Sequence, residues 1–268
     1  MASKKGNRRD KLSNYLLPLA SIFAVIVVWQ LLISLGLVDS FVLPAPSNVV
    51  SAAIQLSSTG ELQSDILVSC VRAMEGYLLG SSIGILFGLA MGTFASFRDL
   101  TEPLVEFFRQ IPEVAWIPLA ILIFGLSGSA VLFIITYGTV WPVLINTYDG
   151  VRLVDSVYKR AALSLGASRL KMFYKVNLPA ALPRIYSGLW TSIGIAFRSL
   201  VVAELAVGTT GIGSGIGYMM NFYYNQYVRT DVLVLGMVLL AVLGFISQKG
   251  LVVSMRRVMR WLPESQRL

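Results

Sequence analysis

Apolar and charged positions fall along this chain in long blocks, not at a short period. Leu12 to Val38 is 27 residues without a charged side chain, Gly76 to Phe97 is 22, Val114 to Tyr148 is 35 and Val232 to Gln248 is 17. A helix needs ~20 mostly apolar residues to cross a bilayer. The 35-residue run has room for two crossings, and Gly125-Leu126-Ser127-Gly128-Ser129 inside it reads as the turn between them. Two further apolar stretches are interrupted by single charges. One holds Arg72 and Glu75, and the other, Ile185 to Val207, holds Arg198 and Glu204. The pattern predicts six spans, at roughly 15–36, 67–96, 110–126, 129–149, 186–206 and 231–252.

Composition agrees with lipid as the main solvent. Hydrophobic residues make up 56% and charged residues 13%, with a mean hydropathy of +0.72. A soluble fold of this size would be left with an apolar exterior. The absence of histidine removes imidazole as a metal ligand or general base. Cys70 stands alone, which allows neither an internal disulfide nor a thiolate cluster. The first apolar run is too long for the core of a cleaved signal peptide, so it reads as a retained span.

The net charge is +8, and its distribution is a topology signal. Lys4, Lys5, Arg8, Arg9 and Lys11 crowd the head; seven basic residues lie in 150–185; Lys249, Arg256, Arg257, Arg260 and Arg267 close the chain. With six crossings these segments share one side, which the positive-inside rule makes the cytoplasm, together with both termini. The expected plan is a basic head (1–14), a transmembrane domain (15–252) and a basic tail (253–268). Nucleic-acid binding is not needed to explain the charge.

Three loops carry further information. In 37–66, Pro44 and Pro46 hold the chain extended, and Ser47 is positioned to cap a short helix over 49–57. In 207–230, the run Gly208 to Gly217 lacks the lysine of a phosphate loop and the spacing of a dinucleotide loop, which leaves close helix packing or a re-entrant turn. The aromatics Tyr218, Phe222, Tyr223, Tyr224 and Tyr227 fit an interfacial belt or a protein contact. The cytoplasmic segment 150–185 predicts two short helices. Asp155 or Ser156 caps the first, which runs to about Leu165 with Val157, Ala161 and Leu165 on one stripe. Gly166 ends it, Ser168 caps the second, and Asn177-Leu178-Pro179 stops that one. The result is a compact knob, docked on a partner or lying among lipid headgroups.

The knob carries a recognisable pattern. Arg160-Ala161-Ala162-Leu163-Ser164-Leu165-Gly166-Ala167-Ser168, followed by Val176-Asn177-Leu178-Pro179, resembles the EAA loop of ABC importer permeases, with Arg160 where the name-giving glutamate stands. Leu43-Pro44-Ala45-Pro46-Ser47, Ile111-Pro112 through Ala115-Trp116-Ile117-Pro118-Leu119, Phe124-Gly125, and Val202-Ala203-Glu204-Leu205 with Gly211-Ile212-Gly213 resemble the branch of sulfonate, taurine, nitrate and bicarbonate permeases. The resemblance implies an all-α integral membrane protein with the type I importer fold, located in the bacterial inner membrane. It implies a second permease copy, two ABC ATPase subunits that hold ATP and Mg, and an extracytoplasmic solute-binding protein. This chain would bind no cofactor itself and would not be an enzyme. Residues Arg160 to Ser168, with Leu178 and Pro179, would touch the ATPase.

Charges at membrane depth are costly and mark function or pairing. Arg72 and Glu75, three residues apart, can neutralise one another. Arg198 and Glu204 lie ~120° apart around a helix and are poor partners for each other. Each then needs a counter-charge on another helix, in a second copy or on a solute. Arg198, Glu204 and Trp116, the last in a span kinked by Pro112 and Pro118, are the candidate pathway residues, and Arg198 would favour a small anionic solute. A self-sufficient secondary transporter would need more buried coupling acids and an internal repeat.

Overall fold

A computed structural model describes residues 8–208 and 214–259. Lys4, Lys5, Gly211-Ile212-Gly213, Arg260 and Arg267, and with them half of the head and most of the tail, lie outside the described residues. In chain order the elements are α1 (Arg8–Ser34), α2 (Pro46–Ser58), α3 (Glu61–Thr93) and α4 (Ala95–Phe108). One tight turn, Glu113–Trp116, leads into α5 (Ile117–Phe124), and α6 (Gly128–Arg152) follows. Then come α7 (Ser156–Ser164), α8 (Arg169–Met172), a widened turn over Phe173–Asn177, α9 (Leu178–Val207), α10 (Ile216–Tyr227) and α11 (Thr230–Val258).

Helices α3, α6, α11 and the continuous stretch Leu170–Val207 are long and apolar enough to cross a membrane. α4 and α5 together make a further candidate crossing, bent by 87°. α1 contributes a shorter apolar stretch, Ala20–Ser34. The expected third span, 110–126, is therefore not one helix. Pro112 lacks an N–H and restricts the residue before it, so the chain leaves the helix at Arg109 and re-enters it only at Glu113.

Helices α3, α6 and α9 form the centre. On α3, Gly76, Gly80, Gly84, Gly88 and Gly92 recur every fourth residue and all face α6. A Cβ on Gly84 would sit 2.7 Å from the Val140 carbonyl oxygen, and one on Gly88 2.6 Å from that of Leu144. The α3 backbone therefore lies directly on α6, close enough for the Thr139 hydroxyl to donate to the Gly76 carbonyl at 3.2 Å. Across α6, Gly188 of α9 closes on the Pro142 carbonyl in the same manner. Lipid supplies no hydrophobic drive between helices, so such close van der Waals contact is what holds them together.

One loop expectation changes. Ser47 is not the cap of α2; the helix starts at Pro46, whose fixed φ and missing N–H suit a first position. The Ser47 amide donates instead to Gln30 Oε1 at 3.2 Å. The loop 207–230 contains α10, whose Tyr218 and Phe222 rings stack while Tyr223 donates to Glu61 at 2.9 Å. Burial and that carboxylate push the Tyr223 phenol up to about 12.

Gly84→Ala is expected to destabilise the bundle by about 1–3 kcal/mol through overpacking. Gly250→Ala, which has nothing within 4 Å, is the matched control. Thermal unfolding in detergent should show a lower midpoint for the first variant only.

Candidate functional site

The knob forms largely as its local chemistry demands. The Asp155 carboxylate accepts from the Val157 amide at 2.8 Å and caps α7. At the other end Gly166 adopts φ +74°, and the Ala167 amide reaches back to the Ala162 carbonyl at 3.0 Å. That closure requires a left-handed residue. Ser168 Oγ accepts from the Lys171 amide at 3.4 Å as α8 begins.

The second helix does not stop at Asn177-Leu178-Pro179. The turn Phe173–Asn177 widens so that the Leu178 amide bonds to the Phe173 carbonyl, five residues back. A widened turn takes up the ring of Pro179 and its missing donor, so helix continues through the proline. Leu170–Val207 is in consequence one span of 38 residues, which joins the knob to the helix bearing Arg198 and Glu204. Between α8 and the C-terminal end of α3 lies a cavity of about 630 Å³, lined by Leu89, Thr93, Leu170 and Phe173.

The apolar stripe of the knob faces outward. Val157 is 56% exposed, Leu163 56% and Leu165 87%, and Ala161 is exposed between them. Arg160 reaches only Ser156 Oγ, at 3.2 Å. No element among the described residues covers this face.

The charges in the spans pair differently from expectation. Arg72 does not turn to Glu75, which is exposed; its Nη1 lies 3.1 Å from Glu204 Oε1 and donates to the Ser214 carbonyl at 2.7 Å. Glu204 is only 2% exposed and also accepts from Ser69 Oγ and the Gly217 amide. Asp65 accepts from the Gly215 amide at 3.0 Å. Gly215 has φ +103°, and a Cβ there would overlap the Glu204 carboxylate. This network pins the chain entering α10 to α3 and α9. Partners 132 residues apart leave no mark in local spacing, whereas the i, i+3 pair does.

Arg198 is exposed. Its Nε donates to the Gly194 carbonyl at 3.2 Å, and it lines a groove of about 500 Å³ between α9 and α11 with Trp190, Phe197 and Gln248. Trp116 is half-buried against Phe133 and Tyr137. The sequence reading passed over Glu113, which accepts from Ser199 Oγ at 3.0 Å. Its signal was present: a carboxylate directly after a proline, at the edge of the longest charge-free run.

Residues 80–257 match the family described as the binding-protein-dependent transport system inner membrane component. The chain belongs to this family. It is 36% identical to the putative aliphatic sulfonates transport permease protein SsuC of Escherichia coli, over 89% of each chain. It is 30% identical to the taurine transport system permease TauC of the same organism, over 93% of this chain and 91% of the other. Against the bicarbonate transport system permease CmpB of Synechococcus elongatus the identity is 31%, over 94% and 92%. Among solved structures, an amino acid ABC transporter shares the fold at a TM-score of 0.63 and 16% identity, covering 76% of this chain and 97% of that one. The MetNI methionine transporter does so at 0.56 and 21%, covering 71% and 94%. The protein is thus an ABC importer permease of the inner membrane, the non-catalytic membrane subunit of its complex.

Removing one member of a buried ion pair leaves the other uncompensated. In this permease, Glu204→Gln is expected to destabilise by ~3–5 kcal/mol. Pairing it with Arg72→Gln should cost less than the sum of the single changes. Thermal melts of the two single variants and the double variant check this.

Proposed function

We propose that this permease carries a small anionic solute, delivered by a binding protein, and that the knob 155–179 couples it to ATP hydrolysis on separate subunits. The observation that carries this reading is the bare apolar tip, Leu165 at 87% exposure, on a knob continuous with α9. An apolar tip raised on capped helices fits a groove in a partner better than a headgroup layer. Residues Arg160 to Ser168 form the contact, with Leu178 and Pro179 at the joint to α9. Two ATPase subunits, closing on ATP and Mg, would draw two such knobs together in a homodimer of permeases. The joined α9 helices would then pass between inward-open and outward-open packings. α1 and the bent α4–α5 pair complete six crossings, with both termini in the cytoplasm.

Arg198 lines the pathway and biases it toward anions, with Trp116 beside the same path. Its forked donors suit sulfonate, carboxylate or nitrate. Support comes from the relatives, whose named solutes (aliphatic sulfonates, taurine, bicarbonate) all carry an anionic group. Glu204 acts on the pathway indirectly, by holding the chain at Gly215 and Gly217.

Leu165→Asp should weaken co-purification with the ATPase subunit ~10-fold or more while leaving the thermal midpoint of the permease unchanged. Arg198→Gln should lower binding-protein-dependent anion uptake and the accompanying ATPase stimulation ~10-fold. Unchanged uptake by a folded variant removes Arg198 from the pathway.

A further inference from the structure

The break between α4 and α5 lies well within the length of two neighbouring spans, α6 and α9. Tyr137 donates to the Phe108 carbonyl at 2.5 Å, nine residues into α6, which is ~14 Å from that helix's end. Ser199, which holds Glu113, lies eight residues short of the end of α9, ~12 Å along its axis. A Cβ on Gly138 would come within 3.7 Å of the Glu113 Cβ, so both contacts place Glu113 at this depth.

Two independent constraints then meet at one place. Non-helical backbone at membrane depth is tolerated only where it is buried in protein or lines water. Residues 109–112 lie outside any helix, and Pro112 and Val114 are exposed. A carboxylate at that depth needs a cation or water. Glu113 is half-buried, with Ser199 as its hydrogen-bond donor, and no lysine or arginine among the described residues pairs with it. Beside it runs a ladder of rings. Trp116 stands 5.1 Å from Tyr137, which in turn stands 5.3 Å from Trp141. Aromatic faces next to a carboxylate form a receptor for a cation.

We propose that this break is a water-lined solute site in which Glu113 and the adjoining rings receive a protonated amine. The proposal rests on the importer reading and adds to it an amine-binding subsite on the face of α9 where Ser199 meets Gly138 of α6. Arg198, the neighbouring residue, faces the separate groove between α9 and α11.

The test uses Val114→Cys, a position 47% exposed, in a Cys70→Ser background, with the full permease reconstituted beside its ATPase. Labelling by a cationic (trimethylammonium-ethyl) methanethiosulfonate should exceed that by the anionic sulfonatoethyl reagent ~5-fold or more, each relative to free thiol. Glu113→Gln should abolish the preference. Ethylammonium should slow the labelling, ethanesulfonate should not, and the protection should vanish with Glu113→Gln. A thiol that reacts only after denaturation, or labelling without charge preference, overturns the site. Failure of ethylammonium to protect, or equal protection by ethanesulfonate, overturns the amine assignment. The importer reading is judged separately, by ATPase co-purification, so either can fail without the other.

Discussion

With no Cβ on one face of five successive α3 turns, the backbone of α3 lies against α6, and the rest of the bundle is positioned from that contact. Lipid tails are as apolar as leucine, so side-chain hydrophobicity alone gives two spans no reason to associate. Close approach does, through dense van der Waals contact and through hydrogen bonds that a wider spacing would break. Thr139 reaches the Gly76 carbonyl only because the helices touch, and its own carbonyl then accepts from Ser192 of α9. The third helix is thereby registered on the first two, and Arg72 on α3 comes within reach of Glu204 on α9.

That registration matters because α9 does two tasks. Its N-terminal end continues through the widened turn into the knob, and its C-terminal end holds the chain entering α10 through Glu204, beside Ser69 and Asp65 of α3. A span of 38 residues is ~57 Å long, long enough to cross a bilayer without an intervening joint. Had the helix ended at Pro179, the knob could have swung independently of the span. The proline is tolerated because the turn before it is wide, and that width preserves the mechanical connection.

Local chemistry was readable from the sequence, and distant chemistry was not. Asp155 and Gly166 act where capping rules place them, since each serves backbone groups within five residues. The resemblance of the chain to importer permeases also stands. Ser47 misled because a neighbouring proline opened the helix one residue earlier. Pro179 misled because a stop signal applies to a regular α-turn, not to a wider one. Glu75 was the visible partner for Arg72, while Glu204 becomes one only once the α3–α6–α9 contacts exist. The glycine ladder is written plainly at four-residue spacing, yet hydropathy registers glycine as nearly neutral and so hides its role as a packing surface.

Two irregularities in the membrane helices have opposite physical character. At Phe173–Asn177 the turn widens but every step remains helical, so the backbone stays bonded and the element transmits force. At 109–112 the helix is interrupted, the direction changes by 87°, and a carboxylate stands beside the opening with a serine as its donor. An apolar residue at position 113 would let the same bend pack dry; a charge there is stable only if water or a cation reaches it. On the other side of Ser199, Arg198 faces its groove with a carbonyl as its partner. A half-buried carboxylate with no cationic partner among the described residues is costly in isolation and favourable beside a solute that carries a cation. The cost of keeping it therefore falls when such a solute is present, which is the kind of differential interaction a carrier needs between its empty and loaded states.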